Sequence, residues 1–265
     1  KMINAKEDIC VATNELDQPI SITKFTLDSE NQGKFVYIQG GVHGGEVTLP
    51  IIKKLYSYLQ KNLKSGKVVF VPFANPLSWQ QKAYTYTVGK FNLKNGKDFN
   101  RYYGTDVDVN SKIANKILTL CEDADLTLDL HTAHNALPYT IFSSLKLMPF
   151  IKNLNIRFND FCGMPKKYEH CFDYELTLKD VPSITIECGA HDEVNSTNTE
   201  QVVNGILNVL ASLKMIDAIN IKPQEQIFFT DATSIKAECG GIVNFYKNLG
   251  ETFKKGEKLF EIISA

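Results

Sequence analysis

An imidazole and a carboxylate stand three residues apart in His43-Gly44-Gly45-Glu46. Side chains three apart at a helix start project from one side, so the pair could hold a metal ion, and the glycines let the backbone approach closely. A glutamate favoured by a helix dipole beside an incidental histidine would read the same way. His131, a further ligand candidate, closes the apolar run at 126–131; His134 offers a competing HxxH reading but falls beyond the strand end. Two histidines and one carboxylate form the ligand set of a catalytic zinc whose fourth position stays open for water. Asp98-Phe99-Asn100-Arg101 holds one of only two arginines, the other being Arg157. A guanidinium binds a carboxylate in two-point fashion, which lysine cannot copy. Glu187 follows Ile184-Thr185-Ile186 at the end of a buried run. A carboxylate there needs a partner or a task, as one half of an ion pair or as a general base beside metal-bound water.

These residues meet only if the fold brings strand ends to one edge. KFVYIQ at 34–39 reads as a strand, and Leu49, Ile52, Leu55, Tyr56, Leu59 and Leu63 recur at helical spacing, predicting a helix over 46–63. VVFVPF at 68–73 is a second strand, stopped by Asn75-Pro76, and 76–106 lacks periodicity and reads as a long functional loop. A helix over 107–122, strands at 126–131 and 139–143, a helix over 145–156 and a strand at 183–188 follow. Thr197 and Glu200 then form a capping box for a helix reaching about 214. The alternation predicts an α/β fold with a mixed, mostly parallel sheet and helices on both faces, in which His43 and His131 converge on one rim. After 219, IFFT, IVNFY and KLFEII read as short strands between glycine turns. The expected division is a catalytic domain over 1–218 and a small β-barrel or sandwich-like module over 219–265, structural or oligomerising in role. Its glycine spacing is similar to half of a biotinyl or lipoyl barrel, yet no lysine sits in an evident attachment turn.

Composition narrows the classes. The 265 residues carry 29 basic and 30 acidic side chains, a net charge of −1, which provides no field for nucleic acid or an anionic membrane. No apolar stretch approaches the ~20 residues of a spanning helix. The first residues, KMINAKEDIC, lack the apolar core of a signal peptide, so a cytoplasmic location is expected. Six cysteines without a CxxC pair read as mostly buried free thiols.

The blocks GGVHGGE, Asn75-Pro76, DFNR (98–101), DLH (129–131) and TIE (185–187), in this order over roughly 33–215, together resemble the succinylglutamate desuccinylase and aspartoacylase family, relatives of the zinc carboxypeptidases. That resemblance implies a zinc carboxypeptidase-like catalytic domain followed by a small β domain. It implies one zinc ion per chain held by His43, Glu46 and His131, with Asp98 orienting the first ligand histidine. Asn100 and Arg101 resemble the pair that grips the substrate carboxylate, and Glu187 the base that takes a proton from zinc-bound water and returns it to the leaving amine. One departure stands out: the further arginine upstream of DFNR, which steadies the tetrahedral oxyanion in the family, is missing, and Lys90 is the nearest substitute by position. A lysine keeps the charge and loses the fork. The implied activity is zinc-dependent hydrolysis of a carboxylated N-acyl amino acid or similar small amide. Its rivals are a zinc metallocarboxypeptidase acting on peptides and a catalytically weak binding protein of the same fold. The expected partner is a small-molecule substrate, with no nucleic acid and no membrane; homo-oligomerisation stays open.

Overall fold

Strands covered on both sides show no polar alternation, and the apolar runs of this chain form the middle of one nine-stranded sheet. The structure is a computed structural model that describes residues 2–83, 86–191, 193–231 and 233–264. In chain order the elements are β1 (Ile3–Thr13), β2 (Pro19–Asp28), β3 (Phe35–Gly40), α1 (Leu49–Asn62), β4 (Lys67–Val71), α2 (Pro76–Gln80), β5 (Lys82–Ala83), β6 (Tyr86–Thr87), α3 (Val109–Cys121), β7 (Leu126–Ala133), β8 (Tyr139–Phe142), α4 (Met148–Leu154), β9 (Phe158–Phe161), α5 (Phe172–Leu178), β10 (Ser183–Ala190), α6 (Ser196–Ser212), β11 (Ile227–Phe229), β12 (Ile242–Phe245) and β13 (Phe260–Ile263). The large sheet runs β1-β2-β4-β3-β7-β10-β8-β9-β11. Its central strands β4, β3, β7 and β10 are parallel to one another, while β1, β2 and β8 introduce antiparallel pairs.

Each face of this sheet has its own core. Val36, Ile38, Leu126, Leu128, Leu130, Ile184 and Ile186 project to one side, where Leu55, Ile151 and Ile206 of α1, α4 and α6 cover them. Tyr37, Val69 and Val71 project to the other, against Ile113 and Ile117 of α3 and Phe172 and Leu176 of α5. Because strand side chains alternate, the residues between the first set, Gln39, Asp129, His131, Thr185 and Glu187, belong to the second face. The chain divides after Phe229 into two compact units. The second, from Thr230, contains the antiparallel pair β12–β13. Among the described residues no helix is long and apolar enough to cross a membrane.

Several local expectations change. β1 and β2, which sequence patterning leaves unassigned, pair along most of their length at the sheet edge. The first helix starts at Leu49 rather than 46, with Thr48 at its N-cap and a proline in its first turn. Glu46 therefore lies in a loop before the helix, and Gly45 takes φ +81°, a conformation that a side chain would strain. The last long helix is capped by Asn195, whose side chain accepts from the Asn198 amide; Glu200 pairs with Lys54 instead of closing a capping box. Ile227–Phe229, expected in the C-terminal module, pairs with β9 of the large sheet. Cys121, Cys171 and Cys188 are buried, but Cys10 and Cys239 are exposed, since β1 is an edge strand and Cys239 sits in the small unit.

The stretch 76–106 is ordered by its own polar groups. Asn75 caps α2, Gln81 bonds the carbonyls of Val88 and Phe91, and a 3-10 turn over Phe99–Arg101 begins at Asp98. Gly89 bridges Gly44, with the Gly44 amide donating to the Gly89 carbonyl at 3.0 Å, and Phe99 donates to the Lys90 carbonyl at 3.0 Å. A Cβ on Gly89 would meet the Gly44 Cα at 2.0 Å. Gly89→Ala is expected to lower unfolding stability by about 1–3 kcal/mol in urea titration, as overpacking against backbone does.

Candidate metal centre and its cavity

His43, Glu46 and His131 are buried, and their ligand atoms lie within 4.8 Å of one another. Nδ1 of His43 is 2.8 Å from Glu46 Oε1, and Nδ1 of His131 is 2.8 Å from Glu46 Oε2. Each far nitrogen meets a carboxylate: His43 Nε2 at 2.9 Å from Asp98 Oδ1, and His131 Nε2 at 2.8 Å from Asp129 Oδ2. A carboxylate that orients a ligand histidine accepts its N–H, which assigns the proton to Nε2 and turns both Nδ1 lone pairs toward Glu46. Glu46 Oε2 has no hydrogen bond despite the approach of His131 Nδ1. Acceptors gathered without donors need a cation between them, and two imidazole nitrogens with a carboxylate suit a transition metal of zinc type. Protonation follows the same logic. Burial opposes charge on both histidines, but Glu46 and Asp98 outweigh it at His43, and Asp129 and Glu46 at His131, so both are raised. Burial likewise opposes charge on Glu46, yet the two imidazoles hold its carboxyl well below the usual range.

Sheet register places the neighbours. Gln39 is registered with Asp129, Asp129 with Thr185, Thr185 with Ile141, and Ile141 with Asp160. One step nearer the rim, His131 is registered with Glu187, and Glu187 with Tyr139. The strand end thus sets Glu187 beside His131 without any help from loops. Burial, reinforced by the Glu46 charge against the relief from His131, pushes the Glu187 carboxyl up to about 7, and its Oε2 has no hydrogen bond. A carboxyl tuned near neutrality is suited to exchanging protons.

A cavity of about 350 Å³ opens over this row. His43, Glu46, Lys90, Asp98, Asn100, Arg101, His131 and Glu187 all line it, while Arg157 lies elsewhere, exposed with its guanidinium over the Phe158 ring. Lys90 is exposed, held between Gly89 on the Gly44 loop and Phe99 of the 3-10 turn. Asp98 joins two tasks, accepting from the Asn100 amide at 2.7 Å as well as from His43. Burial opposes its charge, but the His43 hydrogen bond prevails and lowers its pKa. Asn100 spends its Oδ1 on the Phe172 amide at 3.0 Å, tying the 3-10 turn to α5. Arg101 donates through Nη1 to the Asn100 carbonyl and to Cys171 Sγ, both at 2.7 Å. His134 is exposed on the wall, outside the ligand group.

Sequence reasoning missed three features. Asp129 carries a signal: two residues before His131 on one strand, period two puts both on one face. Behind it, Tyr37 donates to Gln39 at 3.0 Å and Gln39 to Asp129 at 3.0 Å, so the buried carboxylate is braced from the core. Asp173, in the first turn of α5, lines the cavity, and burial followed by the Asp129 charge pushes it up to about 6. Nothing in the sequence around it marks that position. His191 also reaches the wall, with Nδ1 2.7 Å from Thr132 Oγ1.

Residues 32–213, more than half of the chain, match the family described as Succinylglutamate desuccinylase/Aspartoacylase catalytic domain. The chain belongs to this family. No curated protein matches the sequence. Among solved structures, a succinylglutamate desuccinylase/aspartoacylase family protein from Shewanella amazonensis is similar over 98% of this chain and 87% of its own, with 20% identity and a TM-score of 0.86. A succinylglutamate desuccinylase/aspartoacylase from Rhodobacter sphaeroides (19% identity, 99% and 83% covered, TM-score 0.82) and an aspartoacylase family protein from Mesorhizobium loti (20%, 98% and 81%, 0.79) share the fold.

Two expectations follow from the geometry. Asp129→Asn removes the anionic partner of His131 Nε2, so zinc affinity measured by competition with a chromogenic chelator should fall about 10- to 100-fold. In metal-free protein, Glu187 takes its proton more readily folded than unfolded, raised from 4.5 to about 7. Its stabilising effect is present below about pH 4.5 and lost as pH rises through 7. Glu187→Gln should therefore gain about 1–3 kcal/mol of unfolding stability over wild type at pH 8 and much less at pH 5, by chemical denaturation.

Proposed function

We propose that the protein is a zinc-dependent deacylase that hydrolyses the amide bond of a carboxylated N-acyl amino acid or similar small amide. The observation that carries this is the placement of Glu187 beside His131 at the strand ends, facing the cavity that His43 and Glu46 also line. Zinc held through Nδ1 of His43, Nδ1 of His131 and Glu46 would polarise an amide carbonyl and lower the pKa of a bound water toward ~7.

The remaining chemistry belongs to side chains. Glu187 takes a proton from the attacking water and delivers it to the nitrogen of the leaving amine, so that amide and water become a carboxylic acid and an amine. Lys90 supplies positive charge where the carbonyl oxygen becomes an oxyanion, and backbone contacts on both sides hold its loop in place. Arg101 pairs with the substrate carboxylate; its contacts to Asn100 and Cys171 fix the direction of the guanidinium. Asp98 and Asp129 keep the histidines oriented. The cavity, about 350 Å³, is at the small end of the range for ligand pockets and favours compact amides over long peptides.

A panel of acetyl, succinyl and peptidyl amino acids with zinc-loaded protein tests the assignment. Glu187→Gln should retain zinc and lose at least about 100-fold in kcat, and Lys90→Met should lose about 10- to 1000-fold while Lys90→Arg recovers part of it. Arg101→Ala should act mainly on KM. Unimpaired turnover in Glu187→Gln would remove the base from the mechanism.

A further inference from the structure

The carboxylates around the cavity have assignments with one exception. Glu46 faces the two imidazoles, Asp98 bonds His43, and Glu187 stands beside His131. Asp173 lines the same cavity and keeps some accessible surface there. Among the described residues it has no ion pair with a lysine or arginine; its nearest influences are its own amide, that of Tyr174, the Asp129 charge and His131. A carboxylate withdrawn from water without a cation is costly, and one that faces a cavity can be compensated by what enters it.

The cavity's fixed cations are equally telling. Arg101 and Lys90 are its only arginine and lysine among the described residues. If Arg101 takes the α-carboxylate and Lys90 the developing oxyanion, no further lysine or arginine of the cavity is left for a second carboxylate. The segment that positions Arg101 also locates Asp173: Cys171, whose sulfur accepts from Arg101, lies two residues before it. A substrate carboxylate gripped by Arg101 would thus sit beside the Cys171–Asp173 segment, on which Asp173 lines the cavity. Ile141 and Thr185, in register on β8 and β10, line the same cavity.

Resting on the deacylase reading, we infer that Asp173 selects N-acyl amino acids whose side chain ends in a cation, and that the substrate is an N-acylated diamino monocarboxylate rather than an N-acyl dicarboxylate. Its ammonium pairs with the Asp173 carboxylate, its α-carboxylate with Arg101, and the amide between them faces Glu187. An N-acyl aspartate or glutamate would instead set a second carboxylate against Asp173, and like charges at close range oppose binding.

The test uses the full zinc-loaded chain with Nα-acetylornithine, its near-isosteric neutral counterpart Nα-acetylglutamine, and Nα-acetylglutamate. Wild type should favour the ornithine compound over the glutamate compound by at least about tenfold in kcat/KM. Asp173→Asn should erase that preference, with a far smaller effect on kcat/KM for Nα-acetylglutamine than for Nα-acetylornithine and without lowering the melting temperature. A wild-type preference for the dicarboxylate, or an equal loss on all three compounds in the variant, overturns the inference and leaves the deacylase reading intact. Calorimetric binding of free ornithine and of free glutamate to wild type and Asp173→Asn needs no turnover. Tighter ornithine binding that the variant abolishes supports the inference even if no amide is cleaved, and equal binding of both amino acids overturns it.

Discussion

Asp98, His43, Glu46, His131 and Asp129 are joined end to end by contacts of 2.8–2.9 Å within the protein. Ionisable groups removed from water are tolerated only when each meets a partner, and here both imidazoles are held between two carboxylates. That requirement shapes the surroundings. Asp129 is completely buried, so it draws on Gln39 and through it Tyr37 for hydrogen bonds. Asp98 must reach His43 from 55 residues away, so the chain between them folds into a braced loop instead of extending into solvent. Glu46 must face both histidines, and it does so from the loop around Gly45 that precedes α1.

The same cavity pushes its carboxylates apart in charge. Glu46 between two imidazoles stays ionised, whereas Glu187, buried and near that negative charge, is raised to about 7. Titratable groups whose settings push their pKa values apart are suited to different chemical tasks. Asp173 departs similarly upward, and it lines the same cavity. Arginine scarcity sharpens this picture, because with Arg157 exposed elsewhere the cavity has a single guanidinium.

Much of the fold was legible because its signals are local. Strand runs at 34–39, 68–73, 126–131 and 183–188 correspond to β3, β4, β7 and β10. The helical spacing of Ile52, Leu55 and Leu59 misled only at the helix start, where Thr48 and a first-turn proline delay α1. β1 and β2 escaped because an exposed edge hairpin alternates weakly between apolar and polar residues. The candidate ligands were legible from residue type and order. Asp129 should have been, since strand parity aligns it with His131, whereas Asp173 and Cys171 could not be, because a short helix with ordinary composition places them.

By itself the sequence determined which segments become central strands, that imidazoles and carboxylates stand at their ends, and that arginine is nearly absent. Propensity, parity and composition act within a few residues and need no knowledge of neighbours. Only the tertiary structure decided that Glu187 lies beside His131, that Nε2 of His43 and of His131 each meets an aspartate, and that α5 brings Asp173 to the cavity. Those outcomes depend on strand order, register and loop closure between distant residues, and a shift of one position in register would turn Glu187 into the opposite core.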